Sequence, residues 1–184
     1  MGQEILNSIF GAYRLALLDS SALRWFKIST QGFWRSFLAA LFIAPPFALI
    51  VALRLEPNST SPEAYWLMES TSYLIGWIAF PVMMIPVSWA LSLSSNYFAY
   101  MIAYNWSAVV QVSIILPVVI LDASGVLPAM ISSFLGLLIT GALMLYQWFI
   151  ARTALQASQA SAMLVVAIDL LLGLTLSMGI AQLF

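Results

Sequence analysis

Apolar residues in this chain neither alternate nor keep to one helical face; they come in long blocks, with polar residues gathered between the blocks. Such a block satisfies its backbone in hydrocarbon only as a helix, and about 20 residues cover the roughly 30 Å apolar core of a bilayer. Five blocks predict five spans, at 36–53, 66–93, 97–121, 127–151 and 162–184. Arg35 and Arg54 bracket the first. Glu56, Pro57, Asn58, Ser59 and Thr60 then read as a loop by their turn chemistry, with a glycosylation sequon at Asn58. Ser94, Ser95 and Asn96 separate the second block from the third, and Asp122, Ala123, Ser124 and Gly125 make a tight turn before the fourth. Tyr146, Gln147 and Trp148 stand near the end of that fourth block, where interfacial aromatics belong. A β-barrel needs alternating polar positions, which these blocks lack.

The first 35 residues behave differently. Ile5, Leu6, Ile9, Phe10, Tyr13 and Leu17 recur at helical spacing, with Glu4, Asn7, Ser8 and Arg14 opposite them. Asp19 or Ser20 is placed to cap a second short helix carrying Leu23, Trp25, Phe26 and Ile28. Residues 1–35 are therefore expected to lie in the inner interface, with Arg14, Arg24, Trp25, Lys27, Trp34 and Arg35 as anchors to anionic headgroups and the bilayer edge. The expected fold is all-α: a polytopic membrane protein, a bundle of about five transmembrane helices over 36–184 behind an N-terminal interfacial amphipathic helix.

Composition narrows the chemistry. Of 184 residues 63% are hydrophobic, and only 6 Lys plus Arg and 7 Asp plus Glu are present, against about a quarter charged in a soluble domain. His and Cys are both absent. Cys nucleophiles, disulfides, His or Cys zinc sites, axial-His haem and Ser-His-Asp catalysis are thereby excluded, and no cofactor is expected. A net charge of −1 offers nothing to nucleic acid. With the N-terminus inside, Arg14, Arg24, Lys27, Arg35 and Arg152 fall on the inner side and only Arg54 outside. That asymmetry predicts a cytoplasmic N-terminus and an outer C-terminus at Phe184, and suits a bacterial inner membrane. The short, interrupted first apolar stretch is not expected to be a cleaved signal.

Charges at helix ends and in loops set topology; Asp169 alone falls inside a span. An ionisable group there costs about 2.5 to 3.5 kcal/mol on insertion scales, so it marks a packing or functional site. Its options are protonation, a pair with Arg152, or hydrogen bonds from neighbouring helices. Asn105, Ser107 and Gln111 on span three join it as the candidate intramembrane polar site, Ser107 and Gln111 sharing a face at i, i+4. Arg54 and Glu69 are expected to pair at the outer interface and fix the hairpin of spans one and two. Pro45, Pro46, Pro81, Pro86 and Pro117 each free the carbonyl four residues earlier. Ser132 and Gly136 fit a small-xxx-small helix contact.

The stretch Ser94, Ser95, Asn96, Tyr97, Phe98, Ala99, Tyr100, Met101, Ile102, Ala103, Tyr104, Asn105, followed by apolar residues to Pro117, resembles the Yip family of Ypt-interacting five-span membrane proteins, in its bacterial form. The resemblance implies an integral membrane protein with an inner N-terminus and names no activity. The function expected on this reading is non-enzymatic: an accessory or scaffold subunit that binds lipid and other membrane proteins, or further copies of itself. The alternative is a small oligomeric transporter or channel subunit that uses the polar residues of spans three and five.

Overall fold

A computed structural model of the chain describes residues 2–55 and 61–182. The expected sequon at Asn58, Ser59 and Thr60, and the terminal Phe184, lie outside the described residues. Among those described, all regular structure is helical: α1 (Gly2–Ala16), a 3-10 turn (Ser20–Trp25), α2 (Thr30–Ser36), α3 (Leu38–Arg54), α4 (Pro62–Ala90), a second 3-10 turn (Ser94–Asn96), α5 (Tyr97–Ala123), α6 (Ala129–Ala154) and α7 (Gln159–Ala181). Five stretches are long and apolar enough to cross a membrane: Thr30–Arg54, Pro62–Ala90, Ser94–Ala123, Ala129–Ala154 and Gln159–Ala181. The architecture is that of a multi-pass membrane protein.

Local capping explains where these helices depart from the apolar blocks. The first begins at Thr30 because the Ser29 Oγ accepts the Gly32 N–H at 3.0 Å, meeting one of the orphan donors of a first turn. In α4, Pro62 occupies the first turn, where a missing N–H costs nothing, so the helix starts four residues before the apolar block. Ser158 caps α7 through the Ser161 N–H and moves its start to Gln159. Asp169 is consequently ten residues along α7, or about 15 Å of helical rise. That is deeper than a span beginning at 162 would put it.

Helix order in space differs from order in sequence. α3 lies along α5, α5 along α6, α6 along α7, and α7 along α4, while the consecutive helices α3 and α4 touch little. The expected hairpin of spans one and two is loosely packed: α3 and α4 meet where Phe47 stacks on Tyr73 and the Tyr73 hydroxyl donates to the Ala40 carbonyl. The cause lies in the first half of α5, where Tyr100, Met101, Ile102, Ala103, Asn105, Trp106 and Ser107 are all buried and give α3 and α6 their packing surface.

The N-terminal segment is docked onto one end of this bundle. Ser8, Gly11, Ala12 and Leu15 of α1 are buried, against α5, α6 and the first 3-10 turn, with Gly11 facing Trp25 and Phe26, and the Tyr146 hydroxyl donates to the Ala12 carbonyl at 2.7 Å. Periodicity assigned Ser8 to the solvated side; the structure buries it, because small side chains let two helices approach closely and its hydroxyl donates to the Glu4 carbonyl at 2.8 Å. Leu6, Phe10, Tyr13 and Leu17 stay exposed on the other side. Two ion pairs hold the segment, Arg35 with Glu4 and Arg14 with Asp19, the latter bonded through Nε at 2.7 Å. The exposed Asp19 carboxyl is held down to about 2 by hydrogen bonds from Ser21 and Arg14.

Among the expected surface anchors, Arg24, Lys27 and Trp34 are exposed, Trp34 at 68%. Arg14 and Arg35 work inside the protein. Trp25 packs edge-on against Phe10, with its indole nitrogen buried and unpartnered. The Asn96 amide donates to the Leu155 carbonyl at 3.2 Å, which ties the turns before α5 and α7 together at the docked end.

Candidate intramembrane cavity

Midway along the spans, in the gap between α3 and α4, lies a cavity of about 410 Å³. Three of the four expected polar residues line it directly: Asn105 and Gln111 from α5 and Asp169 from α7. The fourth, Ser107, is buried one turn before Gln111 and accepts its Nε2 at 3.0 Å. Residues that are 64 positions apart in sequence, Asn105 and Asp169, thus share one wall because α5 and α7 both flank α6 and lean over the same space.

Asp169 is half-buried, and its Oδ1 accepts the Tyr104 hydroxyl at 2.8 Å. The expected partner Arg152 is engaged elsewhere, donating to the Ala157 carbonyl at the end of α6. Asn105 is 1% exposed. Its Nδ2 donates to the Ser36 Oγ at 2.8 Å, while Ser36 gives its own proton to the Phe33 carbonyl at 2.6 Å. The amide orientation is thereby decided, because a hydroxyl has one proton to give. The Asn105 Oδ1 is left buried without a partner, and so is the Gln147 Oε1 on α6. Orphaned buried acceptors are uncommon and costly, about 1 to 3 kcal/mol each.

Aromatic rings form much of the remaining wall. Phe47 and Tyr73 stack with centroids 4.5 Å apart, Phe80 and Tyr104 at 4.3 Å, and Trp77 meets Tyr73 edge-on. Pro81 lacks the N–H that would have bonded the Trp77 carbonyl, and both residues line the cavity. Among the described residues no group of three Asp or Glu side chains is arranged to hold a metal.

Sequence reasoning missed Gln147, placed with Tyr146 and Trp148 in an interfacial girdle. Tyr146 and Gln147 are instead buried, at 4% and 9% exposure, and face inward. It also missed Tyr104 as the partner of Asp169. The signal available was Tyr100 and Tyr104 at i, i+4 on span three, a face too polar at its tips for lipid.

Arg54 and Glu69 form no ion pair; among the described residues the two pairs are those of the N-terminal segment. With α3 packed on α5 rather than α4, Arg54 faces a second groove of about 490 Å³ near the other end of the bundle, shared with Asp122 and Thr140. Ser132 and Gly136 line that groove too, and nothing comes within 4 Å of a Cβ built on Gly136. The close helix contact expected of this pair is not made.

No family model, curated protein or solved structure matches the chain.

Proposed function

We propose that this chain is a non-enzymatic integral membrane protein whose mid-bundle cavity holds a small solute, and that it works as a transporter or channel subunit. The observation that carries the reading is the convergence of Asp169, Asn105, Gln111 and Gln147 on one space of about 410 Å³, within the roughly 300 to 1,000 Å³ of small-molecule sites. Intramembrane carboxylates turned to a cavity mark substrate or ion paths by default. Reconstituted in liposomes, the wild-type protein is expected to carry solute-dependent current that Asp169→Asn abolishes without loss of the folded form. Equal current from both proteins would sink the reading.

The accessory or scaffold reading retains one favourable observation, the exposed Leu6, Phe10, Tyr13, Leu17 and Trp34 beside the exposed Arg24 and Lys27. An apolar strip next to cations suits an anionic bilayer surface, so the docked segment is read as lying on the cytoplasmic face of a bacterial inner membrane. The five basic residues on that side against Arg54 alone on the other support this orientation. Because native cysteine is absent, single cysteines at Ser20 and Ser124 report it cleanly. An impermeant maleimide added to intact cells should label Ser124→Cys and spare Ser20→Cys. A stoichiometric membrane partner that co-purifies after gentle solubilisation would favour the scaffold role.

A further inference from the structure

We infer that the cavity recognises an organic ammonium ion: an amine, protonated and bearing at least one N–H, on a small apolar or aromatic body. This rests on the reading of the cavity as a solute site and names the class of solute.

Several donors of the wall are already used, and its one charged group is the carboxylate of Asp169. The wall's hydroxyl donors are spent within the protein: Ser72 on the Met68 carbonyl at 2.9 Å, Tyr73 on the Ala40 carbonyl at 2.5 Å, and Tyr104 on Asp169. The amides of Asn105 and Gln111 donate to Ser36 and Ser107. The unpartnered Oδ1 of Asn105 and Oε1 of Gln147 are sealed within the wall, and the amide oxygen open to the space is the Oε1 of Gln111, whose Nε2 is the atom bonded to Ser107. To it are added the second carboxylate oxygen of Asp169, which accepts no hydrogen bond among the described residues, and the Trp77 carbonyl freed by Pro81. A ligand that meets these oxygens must donate. No Lys or Arg lines the cavity, so an anion finds no counter-charge there.

Charge and shape narrow the choice further. A carboxylate in hydrocarbon surroundings favours a cation, and the faces of Phe47, Tyr73, Trp77, Phe80 and Tyr104 add cation–π attraction, the usual means of holding alkylated ammonium groups. A bare inorganic cation needs six or so oxygens at about 2.3 to 2.6 Å in the case of calcium, and a wall with one carboxylate around some 410 Å³ is too open for that. The same volume seats an ammonium on a body of phenylethyl size.

Purified protein in nanodiscs, titrated calorimetrically with butylammonium and 2-phenylethylammonium chloride, tests this. Neutral 2-phenylethanol and sodium chloride serve as comparison ligands. The phenylethylammonium is expected to bind at least tenfold more tightly than the alcohol. Asp169→Asn should erase that preference while leaving the alcohol unchanged, and Gln111→Leu should weaken the amine severalfold. Thr140→Ala, in the other groove, should change nothing. Should Asp169→Asn fail to fold, the amine-to-alcohol ratio of the wild type still decides. Equal affinity for amine and alcohol would mean an apolar pocket only, and displacement of the amine by equimolar sodium would mean an inorganic cation site; either overturns the inference. Amine binding without any current would instead sink the transporter reading and leave this one standing. Asp169-dependent current in another solute with no amine binding would do the reverse.

Discussion

Glycine at position 32 is imposed by a contact that no pattern of apolar residues foretells. A Cβ there would stand 1.9 Å from the Lys27 carbonyl oxygen, a backbone atom that cannot swing away. Gly32→Ala is therefore expected to destabilise the docked end by about 3 kcal/mol, the upper part of the usual range for overpacking, seen as a lowered Tm in detergent. Gly136→Ala, with open space around it, should leave Tm unchanged or raise it. The Ser36 and Asn105 pair makes a second residue-scale test. Ser36→Ala strands the whole buried Asn105 amide and should cost about 1 to 3 kcal/mol, whereas adding Asn105→Leu to it should recover part of the loss.

Helix ends are the weak points at the scale of elements. Leu18, Ser92 and Gln156, following α1, α4 and α6, hold φ of 59°, 59° and 57°, the left-handed region that glycine enters freely. Gln156 is exposed, so Gln156→Gly loses no packing. It is expected to raise stability by about 1 kcal/mol, the penalty of a left-handed L-residue. The docked segment also carries an acid dependence. Because the Asp19 carboxyl titrates at about 2 rather than 3.8, its bonds to Arg14 and Ser21 favour docking fully above pH 4. That contribution declines as pH falls through 2. Hydrogen-exchange protection over residues 14–26, referred to the intrinsic rate at each pH, should hold to about pH 4 and decline below, and Asp19→Asn should be weakly protected throughout.

For the whole molecule the decisive feature is the helix order, in which α3 packs chiefly on α5 and only lightly on α4. Cysteine pairs check it directly. Ser36→Cys with Asn105→Cys should cross-link readily, their native polar atoms being 2.8 Å apart. Arg54→Cys with Glu69→Cys should not. If the second pair links, α3 lies against α4 at that end as sequence order suggests; failure of the first would mean that α2 leaves α5.

The chain's apolar blocks determined that it is helical, how many times it is long and apolar enough to cross a bilayer, and that Asp169 is the charge needing an explanation. All of this follows from backbone satisfaction and the cost of burying a charge, which act on each segment separately. Helix bounds were legible to within a few residues, since Ser29, Pro62 and Ser158 extend the helices by local capping beyond the apolar residues themselves. The neighbour of each helix was not legible. Most faces of the spans are apolar, so few advertise a partner, and Arg54, expected opposite Glu69, instead shares a groove with Asp122. Only the tertiary structure, through the buried first half of α5, decided that α3 packs there. That choice turned Gln147 inward, brought Tyr104 to Asp169, and opened the space beside Asn105 and Gln147.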